Sequence, residues 1–189
     1  MMGLAWHWFE GADREVARNY YDRTLQLLRR LRMKRSERII LGYLGVLNFE
    51  SGALAEAEDH LRRSAFASRQ AGDFRVEGIF EGVRGGVLAA LDCIEEATAS
   101  LDLADELLAG NPFYAGSIGV YRGHLDLAEA RAAAARGDSA EAVAHVKMAR
   151  ARIDAARVSH DTLPPLVRRS DDARMAVRIL ERAIDTLTG

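Results

Sequence analysis

The chain has 189 residues, 49% hydrophobic and 29% charged, with 26 basic against 28 acidic side chains and a net charge of −2. That balance excludes a globally basic nucleic-acid binder, and the length suffices for one domain that buries its core without a metal or disulfide staple. The lone Cys93 excludes an intramolecular disulfide, no Cys/His spacing of a structural zinc site occurs, and no apolar run nears the ~18–20 residues of a membrane helix.

Ala, Leu, Arg and Glu dominate and prolines number three, so helix is the compositional expectation. The start, Met1 to His7, has neither the basic region nor the apolar stretch of a signal peptide, and a cytoplasmic protein is expected.

Periodicity of 3.6 residues and the turn residues predict helices at 2–10 and 13–32, separated at Gly11. Trp6, Trp8 and Phe9 lie in the first of these with no capping helix before them, leaving an aromatic edge. A terminal repeat needs a polar outer face to stay soluble, so this edge is expected to be covered by a second copy or another subunit. Arg29 to Arg35, with Arg38 beyond, is the one dense basic run; without interleaved aromatics it reads as a solvated helix end favoured by the helix dipole.

Helices follow at 35–51, 54–70, 74–90 and 93–109, with turns at Gly52 and Asp92. Across them runs an internal repeat held at one constant offset: Gly42 and Gly45 align with Gly82 and Gly85, Leu54 with Ile94, Glu56 with Glu96, Ala57 with Ala97, and Leu61 with Leu101. Small residues at Gly45, Gly85, Ala57, Ala97, Ser64 and Ala104 let paired helices approach closely, with Leu61 and Leu101 filling the space between them. Asn111-Pro112 breaks the chain, and helices at 114–136 and 139–157 form a further pair about Gly137, carrying a third copy in Gly137 to Ala142, Val146 and Ala149. A weaker copy lies at Gly11 to Val16 and Tyr20. Residues 158–169, with Pro164-Pro165, are expected as a loop. Ser170-Asp171-Asp172 starts a last helix to 187, with Ala173, Val177, Leu180, Ala183 and Ile184 on one face, as a cap.

The expected architecture is a single all-α domain over 1–189, with helix pairs at about 1–34, 35–73, 74–113 and 114–157 and a capping helix at 170–187. Gly45, Gly52, Leu54, Glu56, Ala57, Leu61 and Ser64 resemble the tetratricopeptide consensus, which implies an α-α superhelix with a concave binding face. The repeat is longer than the ~34 residues of the standard form. It is similar to the variant repeats of the bacterial maltose-regulator type. Tyr121 to Ala128 and Ser170 to Ile184 resemble the repeat-bearing tails of bacterial signalling ATPases and Ser/Thr kinases, though no phosphate loop or kinase signature is present here.

No catalytic constellation stands out. His7, His60, His124, His145 and His160 are scattered over different repeats, without a His-Glu-x-x-His spacing. His60 and His145 read as surface residues, Cys93 as a small buried hydrophobe, and Gly82, Gly85 and Gly86 as packing glycines rather than a phosphate loop. No enzyme activity, metal or cofactor is expected.

The resemblance implies that first helices line the concave side, which places Ile39, Val46, Phe49, Ile79, Ala89, Arg84 and Tyr121 in a mostly apolar groove. That composition departs from the Lys/Asn/Arg set with which some chaperone-binding relatives hold a terminal carboxylate, so the expected guest is a hydrophobic peptide or amphipathic helix, bound by an adaptor, scaffold or regulatory subunit. A sensor of small molecules or signal peptides in a bacterial regulatory system is the alternative, and it requires a closed polar pocket.

Overall fold

The computed structural model describes residues 14–162 and 172–188. Within them the chain is all-α, an array of eight helices with no strand: α1 (Arg14–Arg30), α2 (Lys34–Ser51), α3 (Leu54–Gln70), α4 (Phe74–Ala90), α5 (Ile94–Leu107), α6 (Pro112–Ala135), α7 (Ser139–Thr162) and α8 (Asp172–Thr188). Trp6, Trp8 and Phe9, and the helix expected at 2–10, lie outside the described residues. No described helix is long and apolar enough to cross a membrane.

One backbone device recurs at evenly spaced turns. Arg32, Gly52, Gly72 and Asp92 each adopt a left-handed conformation, with φ of 54°, 80°, 65° and 61°. In each case the next N–H reaches back to the carbonyl five residues earlier: Met33 to Leu28, Ala53 to Asn48, Asp73 to Ser68 and Cys93 to Leu88, all at 2.9–3.0 Å. Asp138 to Ala133, after Gly137 at φ 82°, repeats it. This is the Schellman arrangement, which satisfies the carbonyls that a helix end leaves open. Each copy of the sequence repeat is therefore two equal steps of helix and turn, as from Gly52 through Gly72 to Asp92.

Contacts group the chain into two compact units, Met1–Phe80 and Glu81–Gly189, so that α4 contributes its first turns to one and its remainder to the other. In the first unit α2 packs between α1 and α3. Ala17, Tyr21, Leu25 and Leu28 of α1 meet Ile40, Leu41, Leu44 and Leu47 of α2 in the core. Tyr21 stacks on Tyr43 at 6.1 Å, and Tyr43 meets Phe80 edge to face at 6.0 Å. A methyl group on Gly42 would overlap the Phe80 ring, and one on Gly45 would lie 2.5 Å from Leu61 Cγ.

The second unit reuses the same contact. A methyl on Gly85 would lie 2.6 Å from Leu101 Cγ, and one on Gly82 would overlap Ile118. Here α6 packs against α5, α7 and α8, and α8 also touches α7. Ala176, Val177, Ile179, Leu180 and Ile184 of α8 are buried, with Leu180 seated where Gly123 leaves room.

Two expected boundaries move. Helix α6 begins at Pro112 rather than 114, because proline lacks only an N–H that the first helical turn leaves unpaired anyway. Helix α7 runs on through 158–162, part of the segment expected as a loop. No Gly or Pro interrupts it before Pro164, and Gly116 of α6 gives Ser159 a surface to pack on.

Arg32 is a side-chain-bearing residue in a conformation that glycine adopts without steric penalty. Arg32→Gly is therefore expected to raise stability by about 0.5–1 kcal/mol, read as a Tm gain of about 1–4 °C. Gly52→Ala is expected to lower it by a similar amount, since a Cβ at Gly52 meets nothing within 4 Å and only the backbone penalty remains. Thermal melts of the two variants check the pair.

Candidate functional site

Four of the seven residues expected to line an open groove lie in the interior. Val46, Phe49, Ala89 and Tyr121 are buried, and Ile39, Ile79 and Arg84 are half-buried. The physical reason is that apolar positions on inner helices are consumed by packing: α2, which carries Ile39, Val46 and Phe49, has a helix on either side within its own unit. Arg84 is held by Glu81 Oε2 at 3.2 Å and Ser100 Oγ at 3.1 Å. Of the seven, Ile39, Val46, Phe49 and Ile79 belong to the first unit, and the other three to the second.

Four cations of the basic run stand against two carboxylates. Arg29 and Lys34 meet Glu37 at 3.1 and 3.2 Å, while Arg35 and Arg38 meet Asp73 at 3.7 and 3.2 Å. Burial raises the Glu37 pKa, but the hydrogen bonds from Arg29 and Lys34 outweigh it and hold the carboxyl below its usual range. The Arg29–Glu37 pair recurs in the next copy of the repeat as Arg69–Glu77, at 2.5 Å. These pairs fasten the ends of successive helices.

The described histidines His60, His124 and His145 stand on different helices. His60 Nδ1 sits 2.8 Å from Glu56 O on its own helix. Cys93 is half-buried at the N-cap of α5, with Sγ 3.8 Å from Leu91 O. His145 lies in a network that the sequence pattern does not reveal, because it joins residues equidistant from the Gly137 turn rather than a local motif. Its Nδ1 is 3.2 Å from Glu129 Oε2 and its Nε2 3.9 Å from Glu141 Oε1. Asp126, one turn before Glu129, completes a trio whose potential ligand atoms lie within 4.8 Å of one another. Asp126 is also gripped through both oxygens by Arg152, at 2.5 and 3.3 Å. A cation bound there would face that guanidinium, and the trio stands beside the Arg152–Asp126 ion pair that joins α6 to α7.

Two clefts in the second unit open to solvent. One lies at the α5–α6 turn, lined by Asp105, Leu108, Gly110, Asn111, Tyr114 and Ile118. The other lies between α7 and α8, with Ile153 and Ile184 amid Arg150, Asp154, Arg157 and Glu181. Neither is the closed polar chamber that a small-molecule sensor requires.

The surface best suited to bind something is one that sequence reasoning misses. Helix α1 has two apolar faces. One is the core face already described; the other carries Tyr20, Leu27 and Leu31, which are 49%, 44% and 58% exposed. Their spacing of seven and four residues places them in one ridge along the helix. Arg30 and Arg32, at the end of the ridge, make no ion pair among the described residues. The periodicity is legible, but a ridge of Tyr and Leu on the second helix of a pair reads as core until the structure shows that other residues fill the core.

No protein-family model, no curated protein and no solved structure matches this chain.

His124 supplies a pH probe of the second unit. Burial, with a smaller contribution from the Arg131 charge, pushes its pKa down from 6.5 to about 3. Between those two values the unfolded chain takes up a proton that the folded chain refuses, so stability is full above pH 6.5 and falls as pH drops. The slope from this group is at most about 1.4 kcal/mol per pH unit. Urea titrations across that window should show a shallower acid loss for His124→Asn than for the parent protein; identical slopes would show that His124 is protonated while folded.

Proposed function

We propose that this chain is a non-enzymatic, tetratricopeptide-like interaction module that docks an amphipathic helix on the outer face of α1. The observation that carries the reading is the exposed ridge of Tyr20, Leu27 and Leu31. An aromatic and two leucines at helical spacing are the kind of anchors that bury well against a partner helix. The two basic residues Arg30 and Arg32 at its end favour a guest with acidic residues at the matching end.

Three further features support the reading. The evenly spaced turns and the internal repeat fit a repeat scaffold, whose framework residues serve packing and whose outer faces are free to vary. Many of the described charged groups are engaged in ion pairs between helices, among them Arg29–Glu37, Arg69–Glu77 and Arg152–Asp126. The two clefts described above are open, which favours a macromolecular partner over a small ligand. In this reading the protein is a cytoplasmic adaptor, scaffold or regulatory subunit of a bacterial signalling system and uses no cofactor.

The test is capture of partners by the tagged full-length chain beside Leu27→Glu/Leu31→Glu. Both sites are exposed, so the variant should keep its helical circular dichroism and lose only a few degrees of Tm, while a specific partner is retained at least about tenfold less. A partner held equally by the folded variant would refute the α1 face. Absence of any protein partner, with melting shifted by small molecules, would favour the sensor reading instead.

A further inference from the structure

Helix α7 carries a second exposed apolar face, unpartnered among the described residues, in the other unit and of a different design. Ala144, Met148, Ala151, Ala155 and Val158 are all exposed, Met148 to 46% and Val158 to 66%. Their spacing alternates four and three residues, the d and a positions of a coiled-coil seam. They point away from the side that α7 buries, where Ala149, Ile153 and Ala156 lie. The fold itself does not demand this apolarity. Counted from their turns, the equivalent positions carry Asp59 and Arg63, an ion pair at 3.2 Å, beside Phe66 on α3, and Glu106 beside Ala99 and Leu103 on α5. On α7 no charge interrupts the seam.

We infer that this face binds a second copy of the same helix in antiparallel orientation, making the protein a homodimer through α7. The sequence of the face is complementary to itself. With a positions opposite d positions, as an antiparallel pair requires, Met148 meets Ala151 of the partner subunit and Ala144 meets Ala155 of the partner subunit. Met148 thus faces a small side chain, and the alanine layers allow close approach. Lys147 and Asp154 occupy the flanking g positions and fall opposite each other across the two-fold axis, twice per dimer. Lys147 makes no ion pair among the described residues, and Asp154 has only Arg157, one turn along, at 3.7 Å. A parallel pairing would instead set Lys147 against Arg152 of the partner subunit, so charge selects the antiparallel form. The paired layers span only about 16 Å of helix, which fits a weak, concentration-dependent dimer rather than an obligate one.

Sedimentation equilibrium of the full-length chain from micromolar to submillimolar concentration tests this directly. The parent protein should dimerise, and Ala151→Glu, which places two like charges near the axis, should weaken dimerisation at least about tenfold with its helical spectrum and Tm retained. Lys147→Asp should weaken it as well, and Lys147→Asp/Asp154→Lys should restore it, a rescue that a merely structural role cannot produce. A monomer throughout the range would overturn the inference. So would a dimer that Ala151→Glu leaves intact, and one lost only in Leu27→Glu/Leu31→Glu would assign the contact to α1.

Discussion

The structure depends on one contact used twice: a glycine on the first helix of a pair, with a leucine on the second helix filling the place where its side chain would be. Gly45 with Leu61 and Gly85 with Leu101 are equivalent under the repeat, and in each a methyl on the glycine would lie within 3.2 Å of the carbonyl of Ala57 or Ala97. The helices therefore approach until side chain meets backbone, and Leu61 and Leu101 are completely buried. Glycine inside a helix costs about 1 kcal/mol against alanine. Burying a leucine returns roughly 1.5–3 kcal/mol, so the exchange favours the close pair.

This close approach governs what the surface can offer. Helices held so near one another absorb the apolar side chains between them, which is why Val46, Phe49, Ala89 and Tyr121 are interior residues. What remains for recognition is the faces that no described helix of the same unit covers. Two of them are apolar without a packing reason: the Tyr20, Leu27 and Leu31 ridge and the seam on α7. The first has bulky anchors suited to a foreign helix, while the second is small, self-complementary and charge-matched to itself. The occupants proposed for them differ accordingly, one a foreign helix and one a second copy.

Much of the fold was legible because it is written in short-range chemistry. Gly52 and Gly137 mark turns because they take the left-handed conformation cheaply, and Asp92 stands out because it occupies the same register. The shorter step of one helix and one turn is harder to see, since Arg32 fills a left-handed position that composition alone would never assign to arginine. Glycine and leucine partners can be paired from the repeat because both members shift together from one copy to the next. The site was less legible for a physical reason. Leu27 and Leu44 are the same residue type on neighbouring helices, yet one is exposed and the other buried, and the difference lies in which face has a described helix against it. His145 with Glu129 likewise depends on the hairpin, because neither residue carries a local signature.

The most direct measurement on the central contact is a double-mutant cycle of Gly45→Ala and Leu61→Ala by chemical denaturation. If the leucine occupies the space the glycine vacates, each single variant loses stability, the first by overlap and the second by a cavity of about 2–5 kcal/mol. The double variant, with the overlap relieved, should then lose at least about 1 kcal/mol less than the two losses together. Losses that add to within about 0.5 kcal/mol would mean that the two residues do not share that space, and would contradict the close helix pair on which the rest of the fold is built.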